Sequence, residues 1–172
     1  SVLSDSSTPL LNRAMQGGYP PGSIFKIVTA TAGLETKKIS AESPVFYCPG
    51  FYSLGGRRFN CWSKEGHGKV NLLEAFKHSC NVFFFKAGEK IKQEPMSYYA
   101  YLFGFGRQTG VELPGEAKGF IPDKNWKRRV INENWYDGDT LNFSIGQGYI
   151  LITPLQAAVM VSVIANGGKF IQ

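Results

Sequence analysis

Glycine and proline interrupt the chain at short intervals, and this distribution constrains its fold more than any other sequence feature. The 172 residues include 20 Gly and 9 Pro, spread along the chain rather than massed. Both residue types end helices and favour turns, so the elements between them must be short. A chain of this length can nevertheless bury a substantial core within one domain. We therefore expect short elements joined by loops around a single core.

The composition excludes disordered and fibrous classes, because 43% of the residues are hydrophobic and 14% are aromatic. No run of 18 apolar residues occurs, and the first residues lack the charged-then-apolar order of a signal peptide. The formal net charge is +6, but no long cationic run accompanies it, so we expect no nucleic-acid partner. The densest basic cluster (Lys124, Lys127, Arg128 and Arg129) is predicted to be a solvated face.

Apolar residues recur at helical spacing in several segments. The clearest helix begins at Thr153, where a capping box includes proline at the first helical position, and it ends at Asn166-Gly167-Gly168. Further helices are predicted over residues 23–34, 71–79, 81–92 and 95–103. Residues 40–68 and 110–136 hold too much glycine and proline for long elements, although the first loop has room for a short hairpin. No convincing central strand is present, so the chain is predicted to be mostly helical.

Ser23 and Lys26 stand three residues apart in a predicted helix, which puts both side chains on one face. A serine hydroxyl becomes a useful nucleophile when a base takes its proton, and a lysine can do so when burial lowers its pKa. The apolar Ile24 and Val28 would contribute to that burial. Because Pro20-Pro21-Gly22 holds Ser23 at the helix start, free N–H groups there would favour a developing oxyanion. On its own, such a pair is more often a surface lysine beside a helix-capping serine.

A second pair of polar residues, Ser79 and Asn81, lies in the break between two predicted helices. Loop side chains at such a break can project into a cleft. A second serine can relay a proton, and an asparagine can bind a substrate amide. Penicillin-binding proteins and class A β-lactamases combine an S-x-x-K motif with an S-x-N type triplet and a K-T-G triplet. The first two motifs are present here.

Further short motifs are spread from Pro9 to Gly168. The whole set is Pro9-Leu10-Leu11-Asn12-Arg13-Ala14, Tyr19-Pro20-Pro21-Gly22-Ser23-Ile24-Phe25-Lys26, Gly66-His67-Gly68, Ser79-Cys80-Asn81, Phe103-Gly104-Phe105-Gly106, Gly138-Asp139-Thr140, Ser144-Ile145-Gly146-Gln147-Gly148 and Thr153-Pro154-Leu155-Gln156. Their order and spacing resemble the transpeptidase domain of class B penicillin-binding proteins, of the elongation-specific penicillin-binding protein 2 type. The resemblance implies an α/β (α+β) fold shared with serine β-lactamases, in which an antiparallel sheet is flanked by helices. This chain would supply mostly the helical part.

The resemblance also implies an activity, that of a D,D-transpeptidase that cross-links peptidoglycan stem peptides and is a target of β-lactam antibiotics. Ser23 would attack the penultimate D-Ala carbonyl and form an acyl-enzyme, and Lys26 would act as general base. Ser79 would pass a proton towards the leaving amine, and Asn81 would orient the substrate amide. The backbone N–H of Ser23 would be one oxyanion donor. β-Lactams would acylate the same serine.

One family motif has no counterpart in this sequence, because neither Lys-Thr-Gly nor Lys-Ser-Gly occurs. Residues 1–172 are therefore interpreted as a partial transpeptidase domain that lacks the membrane anchor, the first strands and the C-terminal strands carrying that motif. We expect no turnover from the fragment alone. The resemblance places the full protein at the periplasmic face of the bacterial inner membrane, anchored by an N-terminal helix, with other cell-elongation proteins as partners.

All three cysteines and one histidine lie in the pattern C-x12-C-x5-H-x12-C, formed by Cys48, Cys61, His67 and Cys80. Thiolate and imidazole ligands suit tetrahedral Zn²⁺, and four ligands complete a closed structural site. A structural zinc ion would tie the loop that carries Cys80 to the long loop before it. Two alternatives remain open. One is a disulfide between Cys48 and Cys61 with Cys80 free, and the other is three unconnected core thiols.

Other function classes share parts of this pattern. A β-lactam-sensing receptor domain would be acylated without turnover, and the Gly-Gln-Gly and Thr-Pro-Leu-Gln segments favour the enzyme over it. A β-lactamase is disfavoured because no glutamate follows the pattern of a deacylating loop. If the resemblance misleads, a zinc-stabilised helical binding module is the remaining interpretation.

Overall fold

The computed structural model describes residues 11–170, so Pro9 and Leu10 of the first motif lie outside the described residues. Eight helices and four short strands make up this part of the chain. The helices are α1 (Arg13–Gln16), α2 (Lys26–Glu35), α3 (Leu72–Lys77), α4 (Asn81–Ile91), α5 (Gln93–Leu102), α6 (Lys124–Trp126), α7 (Asp137–Ser144) and α8 (Pro154–Ala165). The strands are β1 (Phe46–Cys48), β2 (Phe51–Leu54), β3 (Arg57–Asn60) and β4 (Gly68–Val70). Within 11–170, no helix combines the length and apolarity that crossing a bilayer requires.

Four helices enclose the core, with α2 and α4 packed against α5 and α7. Aromatic rings fill the space between them, and the Phe25 ring lies 4.9 Å from that of Phe143. Phe83 and Phe84 on α4 are fully buried, as expected for an apolar run in a core helix. Gly88 permits the close approach of α4 to α7, because a Cβ there would lie 2.5 Å from the Cβ of Ser144.

The predicted hairpin lies within the long loop. Strands β2 and β3 pair antiparallel from Phe51↔Asn60 to Leu54↔Arg57. Gly55 and Gly56 between them both have positive φ, which suits a two-residue hairpin turn. Strands β1 and β4 form a second antiparallel pair that brings Cys48 opposite Gly68. The loop is therefore folded back on itself, and its two ends lie side by side.

The helices predicted at residues 71–79, 81–92 and 95–103, and the one starting at Thr153, are confirmed within two residues. The helix predicted at 23–34 is confirmed as α2, but its first turn is a 3₁₀ turn over Gly22–Phe25. Helix α7 was not predicted. Residues 110–136 also contain more helix than expected, because α6 continues as a π-helical turn over Lys127–Ile131.

The basic cluster is not a uniformly solvated face. Lys127 is 2% exposed, and its Nζ donates to Asp139 Oδ2 at 2.7 Å and pairs with Glu133 Oε2 at 3.3 Å. Lys124 pairs with Glu94. The interpretation as a solvated face was thus wrong for Lys127, because a carboxylate 12 positions further along the chain compensates its burial.

Candidate active site

Ser23 lies in a 3₁₀ turn (Gly22–Phe25) that leads directly into α2. Its side chain is exposed, whereas Phe25 is buried beneath it. The turn is fixed to the segment after α7, because the Gly22 N–H donates to Gly146 O at 2.9 Å. Gly146 must be glycine for this contact, since a Cβ there would lie 2.3 Å from Gly22 O. The Ser144–Gly148 motif therefore holds the turn that leads into α2 in place.

Lys26 is the first residue of α2 and is only 1% exposed. Its Nζ donates to Ser79 O at 2.8 Å, Ser79 Oγ at 2.9 Å and Asn81 Oδ1 at 2.7 Å. These three acceptors satisfy all three donors of an ammonium group. The Phe84 ring centroid lies 5.5 Å away on the side of the core. Lys26 thus connects α2 to the loop between α3 and α4.

Ser79 lies in that loop with φ of 48°, a left-handed conformation that is uncommon for a residue with a side chain. Its hydroxyl donates to Ser23 Oγ at 3.0 Å. A continuous hydrogen-bonded path therefore links Ser23, Ser79 and Lys26. In the described part of the chain Lys26 makes no direct hydrogen bond to Ser23. Because a hydroxyl can both donate and accept, protons can pass along this path in either direction.

The burial that holds Lys26 in place also changes its chemistry. Desolvation lowers the pKa of Lys26 to about 8, although negative charge on Cys61 and Cys80 opposes the shift by raising it. Burial lowers the pKa of a lysine because the charged form loses hydration. Lys26 is thus able to exist as a neutral amine near physiological pH, as a proton acceptor requires.

The four predicted metal ligands also come together. The three thiol Sγ atoms and one ring nitrogen of His67 all lie within 4.8 Å of one another. His67 Nδ1 is 3.6 Å from Cys48 Sγ and 3.6 Å from Cys61 Sγ. Neighbouring donors of a tetrahedral zinc site lie about 3.5–3.8 Å apart. Each of the three cysteines is a free, buried thiol.

The environment of this cluster favours thiolate. Hydrogen bonds from the Cys80 thiol and from the N–H groups of Val82, Asn81 and Ser63 lower the pKa of Cys61. Two of these N–H groups belong to the first turn of α4, where the helix dipole favours negative charge. The bond to Cys61, together with burial, raises the pKa of Cys80. One thiolate is therefore stabilised even before any metal is considered.

Comparison with known proteins assigns the chain to a family. Residues 2–172 match the penicillin binding protein transpeptidase domain. The chain belongs to this family. It is 38% identical over 173 residues to the peptidoglycan D,D-transpeptidase MrdA of Acinetobacter baumannii, a match that covers 99% of this chain and 26% of that protein.

Solved structures of penicillin-binding proteins confirm the predicted fold. The Pseudomonas aeruginosa PBP2 in complex with WCK 5153 superposes with a TM-score of 0.94 at 35% identity, covering 99% of this chain and 38% of that one. The Helicobacter pylori PBP2, solved with MreC, gives a TM-score of 0.91 at 41% identity, covering 96% and 31%. The fold is thus that of a penicillin-binding transpeptidase, and the chain spans well under half of each relative.

The structure brings Ser23, Lys26, Ser79 and Asn81 into one site, and it brings the four cysteine and histidine ligands into another. The two sites share a loop, because Cys80 stands between Ser79 and Asn81. Sequence reasoning missed Asn60, whose backbone carbonyl accepts from Asn81 Nδ2 at 3.4 Å. The one available signal was that Asn60 precedes Cys61, a predicted partner of Cys80, which is itself next to Asn81.

Proposed function

We propose that this chain is the nucleophile-bearing part of a serine D,D-transpeptidase that cross-links peptidoglycan stem peptides. The hydrogen-bonded path from Ser23 through Ser79 to the buried Lys26 carries the proposal. It supplies a nucleophile, a relay and a base in the order that acyl transfer needs. Membership of the transpeptidase family supports the same reaction.

In the proposed acylation, Ser23 Oγ attacks the carbonyl carbon of the penultimate D-Ala. Its proton passes through the Ser79 hydroxyl to neutral Lys26, because the path in the structure runs through Ser79. The tetrahedral intermediate then collapses, the bond to the terminal D-Ala nitrogen breaks, and Ser79 returns a proton to that leaving amine. The Ser23 N–H at the start of the helical segment would stabilise the oxyanion, and Asn81 would orient the substrate amide.

The second half-reaction transfers the acyl group to an amine of another strand. The acceptor nitrogen attacks the ester, the bond between the carbonyl carbon and Ser23 Oγ breaks, and a proton from the amine returns to Ser23 along the same path. Lys26 and Ser79 thus act in both halves, in opposite directions.

A fluorescent penicillin tests the assignment on the full-length protein, followed by intact-mass measurement and peptide mapping. We expect one stable adduct on Ser23 and release of D-Ala from a synthetic peptide ending in D-Ala-D-Ala. An adduct without any peptide turnover would instead identify the alternative, a β-lactam-sensing receptor domain. Labelling at any serine other than Ser23 would overturn the proposal.

The remainder of the active site is proposed to lie outside this chain. The chain covers 26% of the A. baumannii relative, and the Lys-Thr-Gly motif of the family does not occur in it. We propose that residues 1–172 form part of a larger transpeptidase domain, in a protein anchored to the bacterial inner membrane and facing the periplasm. A PBP2 relative has been solved with MreC, which supports cell-elongation proteins as partners here.

Cys48, Cys61, His67 and Cys80 are proposed to hold a structural Zn²⁺ ion. The donor set fits, because three thiols and an imidazole are zinc ligands and their atoms lie together in the core. Cys80 lies between Ser79 and Asn81 of the candidate active site. An ion bound to Cys80 would therefore fix the loop that positions these two residues. The ion would have no part in the chemistry.

Native mass spectrometry of the full-length protein should show one zinc ion that is lost on denaturation. A mass 2 Da below that of the reduced chain, the loss of two hydrogens, would indicate the disulfide instead.

A further inference from the structure

A groove beside Asn81 contains polar side chains that the proposed reaction does not use. A cavity of about 400 Å³ lies between the β2–β3 hairpin, α4 and the segment after α7. Its polar lining comprises Arg57, Arg58, Asn60, Asn81, Asn142 and Gln147. A second cavity of about 540 Å³ adjoins it, and Arg57, Phe59 and Asn142 line both. The two cavities form one groove that leads away from the candidate active site.

Arg57 lies where the two cavities meet. It is exposed and begins strand β3, and no other described residue accepts a hydrogen bond from it or forms an ion pair with it. Three carboxylates line the larger cavity. Lys127 engages those of Asp139 and Glu133. Within the described residues, that of Asp137 forms no ion pair with Arg57. An unpaired guanidinium in a concave site is suited to binding a carboxylate, because its planar donors match both oxygens.

The distance from the candidate active site fits a peptide. Arg57 is three positions before Asn60 in β3, which corresponds to about 10 Å at the usual strand rise. Asn60 O accepts from Asn81 Nδ2, so this end of the strand adjoins the site. Asn81 and Arg57 line the same cavity, so an extended peptide whose amide is bound by Asn81 would bring a residue two or three positions earlier to Arg57.

We propose that Arg57 binds a carboxylate of the donor peptide, two or three residues to the N-terminal side of the bond that Ser23 attacks. This inference rests on the proposed function, and it adds that the donor peptide carries a carboxylate at this position. The Asn142 side chain lines both cavities and makes no hydrogen bond within the described residues, so it is available to bind a backbone amide of the same peptide.

Arg58 provides a matched control, because it has the same charge and is adjacent in sequence. Its guanidinium lies 3.8 Å from the centroid of the Phe51 ring, and its Nε donates to Asn60 Oδ1 at 3.1 Å. Arg58 also lines the smaller cavity, but unlike Arg57 it is already committed to partners within the hairpin.

The test uses the full-length protein and synthetic pentapeptides ending in D-Ala-D-Ala. One peptide pair carries a glutamate as the second residue before the bond that Ser23 attacks, and the other pair carries it as the third. Each pair is made with the side-chain carboxylate free or amidated, so the two pairs distinguish the two positions. We expect kcat/KM to be about tenfold higher for the free carboxylate in one pair.

Arg57→Gln should lower this preference to about one, Arg57→Lys should retain part of it, and Arg58→Gln should keep it. Equal rates for free and amidated peptides in both pairs, with normal penicillin labelling, would overturn the carboxylate site and leave the proposed function standing. Equal loss of preference in both arginine variants would also overturn it, because a general charge effect would then suffice. If neither peptide nor penicillin acylated the wild-type protein, both proposals would fail together.

Discussion

The two side-chain clusters of this domain share three consecutive residues but differ in how their polar atoms are satisfied. In the Ser23 cluster, every donor of the Lys26 ammonium has an oxygen partner. In the cysteine cluster, His67 Nε2 is buried without any hydrogen-bond partner in the described residues, and His67 Nδ1 contacts only the thiols of Cys48 and Cys61, each at 3.6 Å. The first cluster therefore satisfies its buried charge with its own oxygen atoms, whereas the second leaves the imidazole with only thiol contacts, as expected for the proposed zinc site.

The shared loop explains how two such clusters can coexist. Ser79 has a left-handed backbone and directs its side chain to Ser23 and Lys26. Cys80 is the N-terminal cap of α4 and is fully buried among the other thiols. Consecutive side chains thus point into different sites. Any force that holds Cys80 in place also positions Ser79 and Asn81.

The largest expected effect comes from removing the nucleophile. Ser23→Ala should abolish penicillin labelling of the full-length protein, because no other hydroxyl on the path is exposed at the front of the site. The fold should be unaffected, since Ser23 is exposed and packs against nothing in the core. Gel fluorescence measures the labelling, and circular dichroism measures the melting temperature.

Ser162→Ala is the matched control for that experiment. Ser162 is exposed on α8 and donates to Ala158 O within its own helix, so its loss should leave labelling unchanged. Residual labelling of Ser23→Ala would show that the nucleophile lies elsewhere.

The next largest effect should follow removal of the base. Lys26→Met keeps the length and burial of the side chain but cannot accept a proton. Acylation rates should fall about 10²–10⁴-fold, the usual contribution of a general base. Stopped-flow quenching with a chromogenic cephalosporin measures this rate directly.

Lys86→Met supplies the comparison, because Lys86 lies on α4 and contacts the Phe46 and Tyr52 rings rather than the site. Its acylation rate should match the wild type. An equal loss of acylation rate in both variants would mean that the positive charge of Lys26 stabilises the fold and that Lys26 does not act as a base.

A smaller effect on acylation is expected from the metal cluster. Cys80→Ser should remove the zinc ion, lower the melting temperature and slow acylation about 10- to 100-fold, as loss of a supporting ligand does in other metal sites. The reason is indirect, because Ser79 and Asn81 would lose the restraint on their loop. Zinc content by native mass spectrometry and acylation rate are measured on the same sample.

His78→Gln is the control variant that tests whether zinc binding depends on the four proposed ligands alone. His78 stacks on His67 with ring centroids 5.6 Å apart but is outside the four-residue cluster. This variant should retain zinc. Full zinc occupancy in Cys80→Ser, or loss of zinc in His78→Gln, would contradict the proposed ligand set.

Sequence reasoning worked best where the controlling contacts are local. The Thr153 capping box depends on residues three positions apart, and it predicted the start of α8 from the sequence. Helix α7 was missed because Asp139 accepts from the Tyr136 N–H in a capping box whose N-cap is tyrosine instead of the usual serine or threonine.

Contacts between distant segments were the other limit. The burial of Lys127 depends on its hydrogen bond to Asp139. The position of the turn that carries Ser23 depends on the close contact between Gly146 and Gly22. The sequence patterns predicted which residues lie together in each cluster. The hydrogen-bonded order from Ser23 through Ser79 to Lys26 required the fold, because it joins residues 53 and 56 positions apart.

The last prediction needs no substitution in the wild-type protein: the pH dependence of acylation tests whether burial of Lys26 has the predicted consequence. Because desolvation lowers the pKa of Lys26 to about 8, the neutral amine increases about tenfold per pH unit below that value. The acylation rate of the wild-type protein should therefore rise between pH 6 and pH 8 and level off above it. Lys26→Met should show no such rise. A wild-type rate that stays constant from pH 6 to pH 9 would mean that Lys26 keeps its proton throughout, and its three hydrogen bonds would then be structural.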